Sequence, residues 1–176
     1  MKKTVLVFGL ILGGFLTAMM IYSTTQCCRN PEWESNDVAG YAAMIIAFSF
    51  IFIGIKNFRD KYNGGLIGFG KAFKVGALIT LVASTLYVVV WLLDYYLFIP
   101  DFMDKYTQHV LYQARTGGAS QLQLDKKAAE MANYKQLYKN PLFVVLITYV
   151  EVLPIGLVVS LISSLILKRV KLKKVN

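Results

Sequence analysis

The sequence LFVVLITYVEVLPIGLVVSLISSLIL, residues 142–167, is apolar along almost its whole length. A helix needs about 20 mainly apolar residues to cross the hydrocarbon core of a bilayer, and this stretch is long enough. Three further stretches of similar composition precede it, at residues 5–22, 38–55 and 75–93. We therefore predict an all-α integral membrane protein, a four-helix bundle that forms a single domain over residues 1–176.

The composition agrees with this interpretation. Hydrophobic residues make up 56% of the chain and charged residues 16%, whereas soluble domains average about 25% charged residues. The formal net charge of +9 is typical of some nucleic-acid-binding proteins, but the basic residues lie at the ends of the apolar stretches. A surface of anionic lipid explains this distribution better, so we expect membrane lipids, and no nucleic acid, as partners.

The positions of the basic residues also predict the orientation. With four spans, the N-terminus, the loop between spans 2 and 3, and the C-terminus lie on one side. Most of the lysines and arginines are on that side, and short basic loops usually stay in the cytoplasm. Both termini are therefore predicted to be cytoplasmic. The candidate contacts for lipid headgroups are Lys71, Lys74, Lys168 and Arg169.

The first apolar stretch has a second interpretation as a secretory signal, because Lys2 and Lys3 precede it and small residues follow it. The apolar core of a signal is usually about 7–15 residues long. Residues 5–22 exceed that length, so we interpret them as an uncleaved span.

Two cysteines, Cys27 and Cys28, lie at the outer end of this first span. Adjacent Cα atoms are about 3.8 Å apart, which is too close for an unstrained disulfide. We expect two thiols at the membrane boundary, with a disulfide to another protein as the alternative. The single histidine, His109, has no Cys or His cluster nearby, so we predict no metal site and a solvated imidazole.

Small residues recur at every fourth position within each apolar stretch. This spacing places them on one side of a helix, and small residues allow membrane helices to approach closely. We predict a compact bundle in which these residues serve packing. The candidate packing residues are Gly9, Gly13, Gly76, Ser84, Gly156 and Ser160.

The two longer connections have different predicted structures. Residues 64–73 mix apolar side chains with Gly and Lys, which predicts a segment lying in the cytoplasmic headgroup zone. In the connection between spans 3 and 4, apolar residues recur at helical spacing on both sides of a Gly-Gly pair. Ser120 and Gln123 match a capping box. We predict an extracytoplasmic helical hairpin over residues 98–139.

Glu151 is the one charged residue inside the four stretches. Placing a carboxylate there costs at least about 2.5–3.5 kcal/mol. Pro154 follows three residues later and leaves the carbonyl of Val150 without its helical donor. These two residues are the candidate intramembrane functional residues. Glu151 could bind a proton or ligand, or it could be a structural, protonated side chain that donates to Thr80 or Ser84.

Six runs of the sequence carry a family resemblance: GIKNFRD at 54–60, FGKAFKVG at 69–76, LVAS at 81–84, NP at 140–141, EVLPIG at 151–156 and LISSLILK at 161–168. Together they resemble a bacterial family catalogued as domain of unknown function 4199. The resemblance spans nearly the whole chain. It implies a small four-span protein of the bacterial inner membrane, and it brings no established activity, cofactor or catalytic residue.

The sequence contains no paired carboxylates and no nucleophile beside a base, so we predict that it is not an enzyme and uses no cofactor. The small-residue faces and the external hairpin favour a helical partner or accessory subunit of a membrane complex, or a homo-oligomer. The alternative is a small transporter or lipid-handling protein that uses Glu151.

Overall fold

A computed structural model describes residues 1–29 and 37–169, so residues 30–36 and 170–176 lie outside it. The described residues form seven α-helices. Their bounds are α1 Lys2–Arg29, α2 Asp37–Phe48, α3 Phe50–Tyr62, α4 Phe69–Leu93, α5 Phe102–Thr116, α6 Gln121–Leu137 and α7 Pro141–Leu167.

Four helical segments in the described part of the chain are long and apolar enough to cross a membrane. They are Lys2–Arg29, Gly40–Tyr62, Phe69–Phe98 and Pro141–Leu167. The predicted all-α class and the four predicted spans are therefore confirmed. The hairpin of α5 and α6 leads from the third span to the fourth.

The spans pack as a ring in which α4 lies between α1 and α7, and α2 and α3 close the ring against α7 and α1. We call the end that carries Lys2, Lys56 and Lys168 the basic end. The opposite end, where α5 and α6 lie, is the hairpin end. Side chains that are fully buried at the centre of the ring include Ile51, Ile55, Val75, Ile79 and Val144.

Glycines at the helix contacts allow the backbones around α4 to approach closely. A Cβ atom added at Gly9 would lie 2.6 Å from Val82 Cγ1, and one added at Gly76 would lie 2.9 Å from Ser160 Cβ. A Cβ atom added at Gly13 would lie 3.1 Å from the Cα atom and the carbonyl oxygen of Ala83 in α4. Because a larger side chain does not fit at these positions, they determine how near α1 and α7 come to α4.

The second span is broken near its middle, where sequence analysis expected one continuous helix over residues 38–55. Ser49 separates α2 from α3, and its hydroxyl donates to the carbonyl of Ile45 (2.9 Å). Such back-bonding by serine often bends helices. Phe48, next to the break, is fully buried, so the bend occurs where span 2 packs against the ring.

α3 and α4 extend beyond the apolar stretches through residues such as Lys56, Arg59 and Lys71, which are good helix formers. In the loop between α3 and α4, Gly64 and Gly65 adopt positive φ angles of 64° and 75°, which suit glycine in a turn. Residues 64–73, predicted to lie in the headgroup zone, are only partly a loop, and their position relative to a membrane stays a prediction. Ile67 is 1% exposed, and α4 already begins at Phe69.

The hairpin joins the bundle through an aromatic cluster of Trp91, Tyr95, Phe102, Tyr138 and Phe143. Edge-to-face pairs connect Trp91 with Phe102 (5.0 Å between ring centroids) and Tyr95 with Tyr138 (5.5 Å), a favourable geometry for aromatic rings. A π-helical turn, Asp94–Phe98, leads from α4 into this cluster. The predicted capping box begins α6, where the Ser120 N–H donates to Gln123 Oε1 (2.8 Å).

Replacing Gly156 by valine tests the packing between α4 and α7. The new side chain would overlap Thr80 and would come within 2.7 Å of the Phe48 ring. Overpacking of this kind costs about 1–3 kcal/mol. The free energy of unfolding, measured in mixed micelles with rising SDS, should fall by that amount. Gly14→Val is the control, since no other group lies within 4 Å of its Cβ position, and an equal loss there would contradict the prediction.

Candidate functional site

Hydroxyl groups line the contact between α4 and α7, which we call the polar seam: Thr80, Ser84, Ser160 and Ser164. All four side chains are fully buried. Ser160 donates to the Gly156 carbonyl (2.7 Å), so the Thr80 hydroxyl can donate to Ser160 Oγ (3.1 Å). Ser164 donates to the Ser160 carbonyl (2.6 Å). The bond between Thr80 and Ser160 joins α4 to α7, and the three bonds together leave no free donor on Thr80, Ser160 or Ser164.

Ser84 differs from the other hydroxyls of the polar seam. Its Oγ is buried and has no hydrogen-bond partner among the described residues. Burial of an unpaired hydroxyl costs about 1–3 kcal/mol. One of the two interpretations of Glu151 had it protonated and donating to Thr80 or Ser84. Thr80 bonds to Ser160 instead, and Ser84 Oγ has no partner among the described residues, so the structure contradicts that alternative.

Glu151 lies on the exposed surface of α7. The buried face of this helix includes Thr148, Val152 and Gly156, and one residue along a helix corresponds to a rotation of about 100°. Glu151 therefore lies at the edge of the buried face and outside the polar seam. No hydrogen bond or ion pair reaches its carboxylate from residues 1–29 or 37–169. It belongs to the half of α7 nearer the hairpin end.

Pro154 lies inside α7 and is exposed, as is Val150 four residues earlier. Proline has no N–H to donate, so the Val150 carbonyl lacks its usual helical partner. Glu151 and Pro154 are three residues apart, a spacing that places them on neighbouring parts of the helix surface. The outer surface of α7 thus combines a carboxyl group with a backbone carbonyl that has no helical donor.

The carboxylate also acts on the aromatic cluster at the hairpin end. Burial raises the pKa of Tyr138 to about 12, and the negative charge of Glu151 is the next contribution. Tyr138 follows α6 and precedes α7. Glu151 is therefore within electrostatic reach of the connection between the hairpin and the last span.

At the basic end, Arg59 connects α3 to the end of α7. Its side chain is 7% exposed. Nε donates to Asp60 Oδ1 (2.6 Å) and Nη1 donates to the Leu167 carbonyl (3.4 Å). The last carbonyls of a helix lack helical donors and carry partial negative charge, so Arg59 stabilises the end of α7. Sequence analysis did not single out Arg59, because nothing in the sequence distinguishes it from Lys56 or Lys61.

The four predicted headgroup residues are all exposed at the basic end. Lys71 donates to Asn63 Oδ1 (2.5 Å), and its ammonium lies 5.6 Å from the centroid of the Phe58 ring. Lys168 and Arg169 directly follow α7, and the backbone of Arg169 pairs with Ile67. This pairing places Lys168 and Arg169 beside the loop that leads to Lys71.

The cysteines and the histidine form no site within the described residues. Cys27 is 8% exposed and Cys28 is half-buried, and both are free thiols in the last turns of α1. No group of three or more potential metal ligands lies together in residues 1–29 and 37–169. His109 is 1% exposed, so the prediction of a solvated imidazole is wrong.

A comparison with known families identifies the chain. The model of the family described as "Protein of unknown function (DUF4199)" matches residues 7–169. The chain belongs to this family, and the resemblance found in its sequence motifs is confirmed. No curated protein and no solved structure matches the chain.

Replacing Arg59 by alanine should destabilise the bundle more than loss of a surface charge does. It removes the donor to the Leu167 carbonyl, and leaving a buried acceptor unpaired costs about 1–3 kcal/mol. Lys61→Ala removes the same charge from an exposed side chain and should change the free energy of unfolding by less than about 0.5 kcal/mol. Unfolding of both variants in SDS measures their free energies of unfolding. Equal losses of this free energy would count against Arg59 as a cap for the end of α7.

Replacing Glu151 by glutamine should lower the pKa of Tyr138. The carboxylate opposes formation of a second negative charge on the tyrosine, so its removal makes ionisation easier. The ultraviolet absorbance of tyrosinate reports this titration, and subtracting the curve of the Tyr138→Phe variant isolates Tyr138. Glu130→Gln, on the exposed surface of α6, is the control and should leave the titration unchanged. A Glu151→Gln curve identical to that of the wild type would be inconsistent with this coupling.

Proposed function

We propose that this chain is a non-enzymatic protein of the bacterial inner membrane, with both termini in the cytoplasm, and that it acts as a helical partner or accessory subunit in a membrane complex. The exposed lysines and arginines at the basic end support this orientation. The observation that carries the proposal is Glu151, an exposed carboxyl group within a membrane-spanning helix. No described residue of the chain satisfies it.

The energetic argument concerns the surroundings of Glu151. A carboxylate facing hydrocarbon costs at least about 2.5–3.5 kcal/mol. Pro154 and Val158 lie three and seven residues after Glu151, so they share its side of α7. Both are exposed. The surface around Glu151 is therefore apolar apart from the carboxyl group and the Val150 carbonyl.

A partner helix with a hydrogen-bond donor at the level of Glu151 would remove the cost of exposing the carboxylate to hydrocarbon. It would also cover the apolar surface around Glu151. Hydrogen bonds between membrane helices contribute about 0.6 kcal/mol on average and up to about 1.7 kcal/mol. The free energy that is no longer lost by exposing the carboxylate to hydrocarbon adds to that amount. A second protein, or a second copy of this chain, would then be bound through the outer surface of α7.

Photo-crosslinking in native membranes tests this proposal. A photoreactive residue at Val158, which is 55% exposed, should capture a protein, whereas one at Leu10 on α1, which is 53% exposed, should capture lipid. Glu151→Leu should reduce the protein adduct at Val158 because it removes the hydrogen bond, and Glu151→Gln should largely preserve it. Lipid adducts alone at both positions, together with a monomer in native gels, would overturn the proposal.

A small transporter or lipid-handling protein is the second candidate, and the looser packing on the α2 side favours it. Val38, Ile46 and Val150 are 78%, 68% and 66% exposed. The two helix irregularities, Ser49 between α2 and α3 and Pro154 inside α7, meet there. Phe48, next to Ser49, contacts Gly156, which follows Pro154 by two residues. Movement of α2 about this contact would change access to Glu151 from the hairpin end.

Proteoliposomes that contain a pH-sensitive dye distinguish the second candidate from the first. If Glu151 carries protons, the wild-type protein should increase proton flux across the vesicle membrane. Glu151→Gln should abolish that increase because glutamine does not titrate. Equal flux for the two proteins, or no flux above that of empty vesicles, would exclude proton transport through Glu151.

A further inference from the structure

The basic end carries an excess of exposed positive charge. Asp60 is the one acidic side chain among the described residues at this end, and Arg59 binds both of its carboxylate oxygens (2.6 and 3.2 Å). The remaining cations are exposed and have no ion-pair partner within the described residues. Besides Lys2 and Lys3 on α1, they are Lys56, Lys61, Lys71, Lys74, Lys168 and Arg169.

Backbone pairing brings these cations together from separate parts of the chain. The Ile67 N–H donates to the Arg169 carbonyl (2.9 Å), and the Arg169 N–H donates to the Ile67 carbonyl (2.8 Å). The Asn63 side chain donates to the Leu66 carbonyl and accepts from Lys71. Lys168 and Arg169 are therefore held beside the loop that joins α3 to α4.

We propose that this basic end is a preassembled binding surface for anionic phospholipid headgroups, and that the bound lipid holds the ends of α3, α4 and α7 together. A surface that is already ordered loses less conformational freedom on binding. The pairing of Ile67 with Arg169 places Lys168 and Arg169 beside the loop between α3 and α4. Lipid that contacts all of these cations therefore binds the folded bundle and stabilises it by linkage.

Lipid is favoured over a soluble acidic partner by where the cations lie. They flank the ends of apolar spans together with exposed aromatic side chains, Tyr62 (56% exposed) and Phe69 (38% exposed). Aromatic rings at this level are typical of the layer between hydrocarbon and water. Each Lys or Arg near an anionic membrane surface contributes about 1 kcal/mol of attraction.

The test uses the full chain reconstituted in phosphatidylcholine nanodiscs that contain increasing fractions of phosphatidylglycerol. The melting temperature should rise with the anionic fraction. In the double variant Lys168→Gln/Arg169→Gln, the apparent affinity for anionic lipid should fall about 30-fold, the loss expected for two basic residues. Lys126→Gln/Lys127→Gln, on the exposed surface of α6, is matched in charge and should behave like the wild type.

Further measurements keep the outcome unambiguous. A charge-conserving variant, Lys168→Arg/Arg169→Lys, should retain the response to anionic lipid, and the Gln variant should melt cooperatively in pure phosphatidylcholine. If the Lys168/Arg169 and Lys126/Lys127 glutamine variants lost equal affinity for anionic lipid, the proposal would be overturned, because the attraction would then depend on net charge alone. A rise in melting temperature with inorganic phosphate in place of anionic lipid would overturn it too, because the surface would then bind free phosphate.

Discussion

Close contact between the α4 backbone and its two neighbours is the constraint on which the rest of this fold depends. Lipid tails are as apolar as leucine, so membrane helices gain little from apolar contact with each other and associate through close packing and hydrogen bonds. Gly9 and Gly13 allow α1 to approach one side of α4, and Gly76 and Gly156 allow α7 to approach the other. The buried bond between Thr80 and Ser160 then fixes the level at which α4 and α7 meet.

This packing also explains where Glu151 lies. The α7 face containing Val152 and Gly156 is occupied by α4 and by Phe48, and it leaves no volume for a carboxyl group. Glu151 lies on the exposed surface instead. The same interface that makes the bundle compact thus leaves its carboxyl group without a hydrogen-bond partner among the described residues.

Hydropathy was sufficient to predict the spans, and helical periodicity with the Ser120–Gln123 motif predicted the hairpin and its capping box. The side of α7 on which Glu151 lies was not predicted, although Gly156, Ser160 and Ser164 mark the buried face and Glu151 lies off that row. The break at Ser49 depends on a hydroxyl that bonds back to Ile45, which serine does in only some helices. The contact between Arg59 and Leu167 joins residues far apart in sequence, and local patterns do not report such contacts.

The basic end and the hairpin end of the bundle differ in how firmly their helices are connected. This difference separates headgroup binding from the binding of a partner helix or a transported ion. At the basic end, Arg59 and the Ile67–Arg169 pairing connect α3, the following loop and the end of α7. At the hairpin end, α2 has highly exposed side chains and Glu151 has no partner among the described residues. Binding of headgroups at the basic end would therefore hold a part that is already ordered. A partner helix, or a transported ion, would act on the half of α7 that carries the acid and the proline.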